Sequence, residues 1–214
     1  MNKFRLLAGI LAFGSLWGTT ESYIGSALDN AGLPSGSIMT CFFAMSFLLF
    51  SRLYFKQAGM QLGMGVVAGS LKLFNPFVAG CHLCSGIAIM VEGAVFEAIW
   101  FFISRDLKEL KSINIQVSLG IISAYFMFIV GNIVTQILTP VVQGIGFYLN
   151  DLIVFLPRIL ARGILPALIG AVIVPIIILS LKIDIKLKDK LYYPTALGIS
   201  LICWFIVIGN WFLA

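Results

Sequence analysis

Glu21, Lys72, Glu92 and Glu97 each stand inside a run of apolar residues. A helix needs about 20 such residues to cross the hydrocarbon of a bilayer. A charge placed there costs several kcal/mol unless it faces the bundle interior, finds a partner, or meets a substrate or ion. These residues are therefore the first candidates for function, and the chemistry open to them is recognition of a polar or charged solute. Three of them fall in one stretch, 59–105, which reads as a membrane hairpin: an apolar run 60–74 with Lys72, a break at Asn75-Pro76, and a second run 83–103 with Glu92 and Glu97. The turn holds the only histidine, His82, between Cys81 and Cys84.

Thiolate and imidazole in Cys81-His82-x-Cys84 are good ligands for zinc or copper. A second ligand pair is missing, so no metal centre is expected, and thiols at a helix start commonly serve as small apolar packers. No Gly-x-Ser-x-Gly elbow and no phosphate-cradling Gly-x-x-x-x-Gly-Lys-Ser/Thr occurs. The chain hydrolyses no ATP itself. An intramembrane enzyme would have to use Glu92 and His82 as its couple; that reading ranks below transport, so no catalytic residue and no cofactor is expected.

The elements that position these side chains follow from composition. Hydrophobic residues make up 60% of the 214 and charged ones 11%, with a mean hydropathy of +1.06, against roughly 25% charged in soluble domains. This is the composition of an integral membrane protein, and it leaves no room for a soluble domain of about 100 residues. A single transmembrane domain, 1–214, is expected. Net charge is +5, but the Lys and Arg sit in short loops beside apolar segments, where they orient helices and do not read nucleic acid. Four cysteines, at 41, 81, 84 and 203, are too few for a disulfide framework; only Cys81 and Cys84 are placed to act together. Lys3 and Arg5 before an apolar run imitate a signal peptide, yet the run continues past any cleavage site and reads as a retained first helix.

The pattern predicts an all-α bundle of six to seven transmembrane helices. Segments fall at 4–28, 35–53, 57–74, 83–103 and 116–138, then a sixth carrying Pro157, Pro166 and Pro175 that is expected to kink or break, then 192–213. The stretch 140–151 reads as a loop or short interfacial helix. With the N-terminus cytoplasmic, eleven of the Lys and Arg fall inside and only Arg158 and Arg162 outside, which fixes the orientation. Lys72 falls toward the outer half and is left out of that tally. In the first segment Gly14, Gly18, Glu21 and Gly25 share a face within about 60°, with Ala8 and Ala12 nearly opposite. The glycine stripe suits packing inside the chain and Ala8-x-x-x-Ala12 suits a second helix. Gly65, Gly69 and Lys72 repeat the spacing of Gly14, Gly18 and Glu21. At about 1.5 Å per residue Glu21 and Lys72 reach similar depth, so they either line a site or simply neutralise each other. Glu92 shares a face with Cys81 and Ser85 near mid-membrane; Glu97, nearer the cytoplasmic end, either hydrogen-bonds a neighbouring helix or reaches water. Asn132 and Gln136 share a face and either line a site or glue helices together. Trp17, Tyr23 and Phe74 could stack on a heterocycle or belong to the interfacial belt.

With its compact size, outer polar residues and Ala8-x-x-x-Ala12 on the first helix, the chain resembles the substrate-binding S component of an energy-coupling factor transporter. That resemblance implies an outward-opening pocket for a vitamin-like molecule or precursor in the cell (inner) membrane. It implies docking through Ala8 and Ala12 to a transmembrane coupling protein driven by two cytoplasmic ATPases. By position, Glu21, Lys72, His82 and Arg158 would line the pocket, joined by Glu92 and Asn132 from the reading of faces above. A stand-alone secondary transporter is the alternative. Nickel and cobalt are disfavoured, because the N-terminal histidine motif of the metal-specific members is absent from Met1-Asn2-Lys3.

Overall fold

The computed structural model describes residues 3–74, 81–103, 110, 112–180 and 189–213. All the elements among them are helical: α1 (Lys3–Asn30), α2 (Ser35–Phe55), α3 (Met60–Lys72), α4 (His82–Ile103), α5 (Ile113–Val142), α6 (Leu149–Arg162), α7 (Ile164–Leu179) and α8 (Asp189–Leu213). Five stretches, α2, α4, α5, the α6–α7 pair and α8, are long and apolar enough to cross a membrane. The chain is an all-α, multi-pass membrane bundle. The break expected at Asn75-Pro76 lies outside the described residues.

Packing partners give each helix its direction. α1 runs parallel to α3, because Gly14 meets Met64 and Val67 while Gly18 meets Ala68 and Leu71. α3 and α4 are antiparallel, with Gly65 at Gly93 and Gly69 at Gly86. α1 and α8 are parallel: the Tyr192 hydroxyl donates to Arg5 O at 2.9 Å, Trp204 Nε1 to Ser15 Oγ at 3.2 Å, and the Tyr23 hydroxyl to Ile206 O at 3.2 Å. Parallel first and last helices need an odd number of passes across the membrane.

α3 departs from expectation. Its 13 residues give about 20 Å, short of the ~30 Å of hydrocarbon, where the apolar pattern predicted a full span over 57–74. The chain turns through Lys56 and Gly59, both left-handed at φ 48° and 86°, and only then begins the helix. Glu97 completes that start: its Oε2 accepts from Leu62 N at 2.8 Å and its Oε1 from Gly59 N. A carboxylate from α4 thus serves N–H groups that no helix can satisfy for itself. α5 is longer than predicted and passes through Pro140, which sits in its last turn and has no N–H to donate to the Gln136 carbonyl. The predicted break in the sixth segment falls at Gly163; Pro166 has no N–H to donate to the Arg162 carbonyl and cannot extend α6.

The glycine stripe of α1 packs on α3 as its pattern suggests. The opposite side, which carries Ala8 and Ala12, is met by α8: Ala12 is buried, and Ala8 and Leu11 line a cavity of about 200 Å³ with Tyr193, Ala196 and Ser200. Near the C-terminal end of α2 Arg52 is buried, donating from Nη2 to Trp100 O at 2.9 Å, while Trp100 Nε1 donates to Ser123 Oγ at 2.9 Å. These bonds lock α2, α4 and α5 together.

Where helices meet through glycine, a methyl group has nowhere to go. A Cβ at Gly93 would stand 2.7 Å from Gln61 O and 3.0 Å from Gly65 Cα, whereas one at Gly198 meets nothing within 4 Å. Gly93→Ala is expected to cost about 1–3 kcal/mol by forcing α3 from α4. Gly198→Ala is expected to be neutral or to gain up to ~1 kcal/mol in helix propensity. Thermal unfolding of the two variants in detergent checks the contrast; equal midpoints would mean that the glycine contact does not set the α3–α4 spacing.

Candidate functional site

Four helices converge on a cavity of about 200 Å³. α1 contributes Glu21; α2 contributes Gly36, Met39 and Thr40; α4 contributes Ser85, Ala88, Ile89 and Glu92; α5 contributes Gly131, Asn132 and Thr135. Local sequence explains each placement. Glu21 lies on the glycine stripe of α1, which the α1–α3 contact turns inward. On α4 Ser85, Ala88 and Glu92 recur at three- and four-residue intervals and so share one face. Asn132 and Thr135 do the same on α5. On α2 the helix widens to a π-helical stretch at Met39–Ala44, and Thr40 within it reaches across to α4. Such single π turns recur at functional sites because they re-aim side chains that regular winding would send elsewhere.

The two carboxylates are held differently. Glu92 is 7% exposed; its Oε1 accepts from Thr40 Oγ1 at 2.8 Å, while its Oε2 has no hydrogen-bond partner among the described residues. Gly131 makes room for it, since a Cβ there would come 3.1 Å from Glu92 Oε1. Glu21, also 7% exposed, receives Trp17 Nε1 at 3.4 Å on Oε1, with Trp17 itself fully buried. Lys72 reaches the same place from α3: its Nζ donates to the backbone carbonyl oxygen of Glu21 at 2.6 Å. Nζ and Glu21 Oε2 lie 3.6 Å and 3.7 Å from the point where a Cβ on Gly25 would stand. The depth argument that paired Glu21 with Lys72 therefore describes a real proximity, made through the backbone as well as through charge.

Of the six predicted site residues, Glu21, Glu92 and Asn132 line the cavity and Lys72 stands behind Glu21. The other two need correction. Arg158 is exposed on α6 and does not line the cavity: Ile159 is the residue that α6 buries, against Phe128 and Ile129, which turns Arg158 outward. Depth along a helix says nothing about rotation, and rotation decides here. His82 is half-buried in the first turn of α4, one turn before Ser85, with Nδ1 buried and unpartnered among the described residues; it is not part of the lining. Cys81 and Cys84 beside it form a disulfide, and Cys84 N donates to Cys81 Sγ at 3.2 Å. Trp17 supports Glu21 and does not reach a ligand position, while Phe74 packs edge-on to Trp211. Among the described residues no group of three His, Cys, Asp or Glu could hold a metal ion.

Sequence reading missed Thr40, Gly131 and Thr135. The signal for the last two was present, one position before and one turn after Asn132. Thr40 had none, because its reach depends on the π-helical offset.

Removing Lys72 takes away the cation that accompanies Glu21 in a low-dielectric interior. Lys72→Met is expected to cost about 3–5 kcal/mol, and the double variant with Glu21→Gln to recover most of it, since both charges are then gone. Thermal unfolding without added solute checks this; a double variant no more stable than Lys72→Met would show that the two charges do not compensate each other. Compared with known proteins, the chain matches no family model, no curated protein and no solved structure.

Proposed function

We propose that this membrane protein captures a small polar solute from the outer side and delivers it inward, as a substrate-binding component of the energy-coupling factor type. The observation that carries the reading is the cavity itself: two buried carboxylates, an amide and hydroxyls from four helices, converging within an otherwise apolar bundle. Ionisable groups inside a membrane mark substrate or ion pathways far more often than they serve as packing, because packing is served better by carbon. On this reading α1 docks the partner beside Ala8, Ala12 itself being buried. α8 packs on that side of α1, so the partner meets the neighbouring exposed face, where Phe4 is 71% and Leu7 54% exposed, and works against the Ala8 edge.

A secondary transporter is favoured by one specific feature, the Glu92 oxygen without a partner among the described residues, since carboxylates of this kind relay protons or coordinate coupling ions.

Two measurements separate the readings. Purification from the native membrane is expected to bring down an ATP-hydrolysing complex, and Ala8→Trp to abolish that association while leaving solute binding intact, because bulk holds helices apart. Uptake by proteoliposomes containing this chain alone, driven by an ion gradient, would instead establish the secondary transporter. Native mass spectrometry of the purified protein is expected to show a retained small ligand.

A further inference from the structure

We propose that the cavity takes the cationic, N–H-bearing end of a small organic solute, a protonated amine or a charged nitrogen heterocycle, with Glu92 as its counter-charge. This rests on the reading of the cavity as a solute site and names the class of solute.

Hydrogen-bond capacity carries the argument. The cavity is rich in acceptors, and most of its donors are already engaged. The Thr40 hydroxyl donates to Glu92 and the Thr135 hydroxyl to Gly131 O at 2.9 Å, so each turns lone pairs to any ligand. Asn132 Nδ2 donates to Phe128 O at 2.9 Å, which leaves its carbonyl oxygen and one N–H open, and the Ser85 hydroxyl also lines the cavity. Glu92 Oε2 carries no partner among the described residues, although its residue is 93% removed from solvent. A buried carboxylate in that condition is costly when empty and is relieved by a donor. A ligand that brings N–H groups answers the unpartnered Glu92 oxygen, and one that brings a further carboxylate beside it meets repulsion.

Charge points the same way. Lys72 stands with Glu21, and among the described residues no Lys, Arg or His lines the cavity beside Glu92. A cationic ligand would supply the counter-charge that lets Glu92 be ionised there. Met39, Ala88 and Ile89 give the remaining wall a carbon surface, which suits an organic skeleton better than a bare ion; calcium, for comparison, asks for six to eight oxygens. At about 30 Å³ per water the cavity equals about seven waters, so the solute is small, on the order of ten non-hydrogen atoms.

The test uses the intact protein in lipid nanodiscs in sodium-free phosphate buffer, with binding read by calorimetry. Benzylammonium and 4-aminopyridinium are the cationic probes; benzyl alcohol and benzoate are neutral and anionic counterparts of similar size, and sodium chloride is a separate arm. The cations are expected to bind at least ~10-fold more tightly than either counterpart. Glu92→Gln is expected to weaken the cations at least ~30-fold and to leave benzyl alcohol unchanged, the loss that follows when a buried charge pair is broken. Selectivity among the probes is read on the unaltered chain, so it stands even where the variant fails to fold. Benzyl alcohol or benzoate binding as tightly as the cations overturns the cationic class while solute binding survives. Sodium chloride giving the same signal and displacing benzylammonium overturns the organic class in favour of an inorganic ion. No binding by any probe, together with an empty native protein by mass spectrometry, overturns both the class and the solute site.

Discussion

An ionised group inside hydrocarbon has to be answered by another group, and most of this structure can be read as the set of answers. Lys72 could not stay in the bundle without an acceptor at its tip, and Glu21 supplies one from its backbone at 2.6 Å. Glu97 is answered by the start of α3 and Arg52 by the Trp100 carbonyl. Glu92 is answered on one oxygen only. Three of these carboxylates and cations are structural in the plain sense that the fold satisfies them. The fourth is left incomplete, and incompleteness in a low-dielectric interior is where function is to be sought.

α3 shows how such answers shape a helix. At 13 residues it is shorter than the hydrocarbon is thick, so its ends fall short of where a longer helix would have met the headgroups. A helix end in that position exposes orphan N–H or C=O groups and half a unit of charge. Glu97 stands at the N-terminal end and Lys72 occupies the last turn at the C-terminal end, so the dipole of α3 is matched by opposite charge at both poles. The glycines along it then let α1 and α4 approach until backbone nearly touches backbone, and that closeness holds Glu21 and Glu92 at one cavity. Charge and small residues therefore cooperate, the first fixing where α3 begins and ends, the second fixing how near its neighbours come.

Much of this was legible before any coordinates. Long apolar runs give the bundle, and the angular stripe of Gly14, Gly18, Glu21 and Gly25 gives the packing face of α1, because each depends on composition or on helical periodicity alone. Glu21, Glu92 and Asn132 were legible as site residues because a polar side chain in an apolar run has few alternatives. Arg158 was not, since depth was inferred and rotation was not. Thr40 was not either, because a π-helical turn shifts the register of α2 by an amount no residue type announces. The length of α3 was hidden for a third reason: an apolar stretch shows that residues avoid water, and leaves open whether they form one helix or a helix with its turns.

On the transport reading, α1 ties the two ends of the molecule together. Ala8 and Glu21 are thirteen positions apart on one uninterrupted helix, about 20 Å along its axis, one near the cytoplasmic face and the other at the cavity. Between them the helix is gripped on one side by α3 through Gly14 and Gly18 and on the other by α8 through Ser15 and Tyr192. The grip on α3 is backbone against backbone and has no slack, whereas the side toward α8 retains a cavity beside Ala8. A force applied at the cytoplasmic end of α1 is therefore accommodated on the α8 side, while the α3 side moves with it and carries Lys72, hydrogen-bonded to Glu21, along. A rigid pair of helices bearing part of the solute site, set against a looser neighbour, is the arrangement by which docking below can be felt at the cavity above.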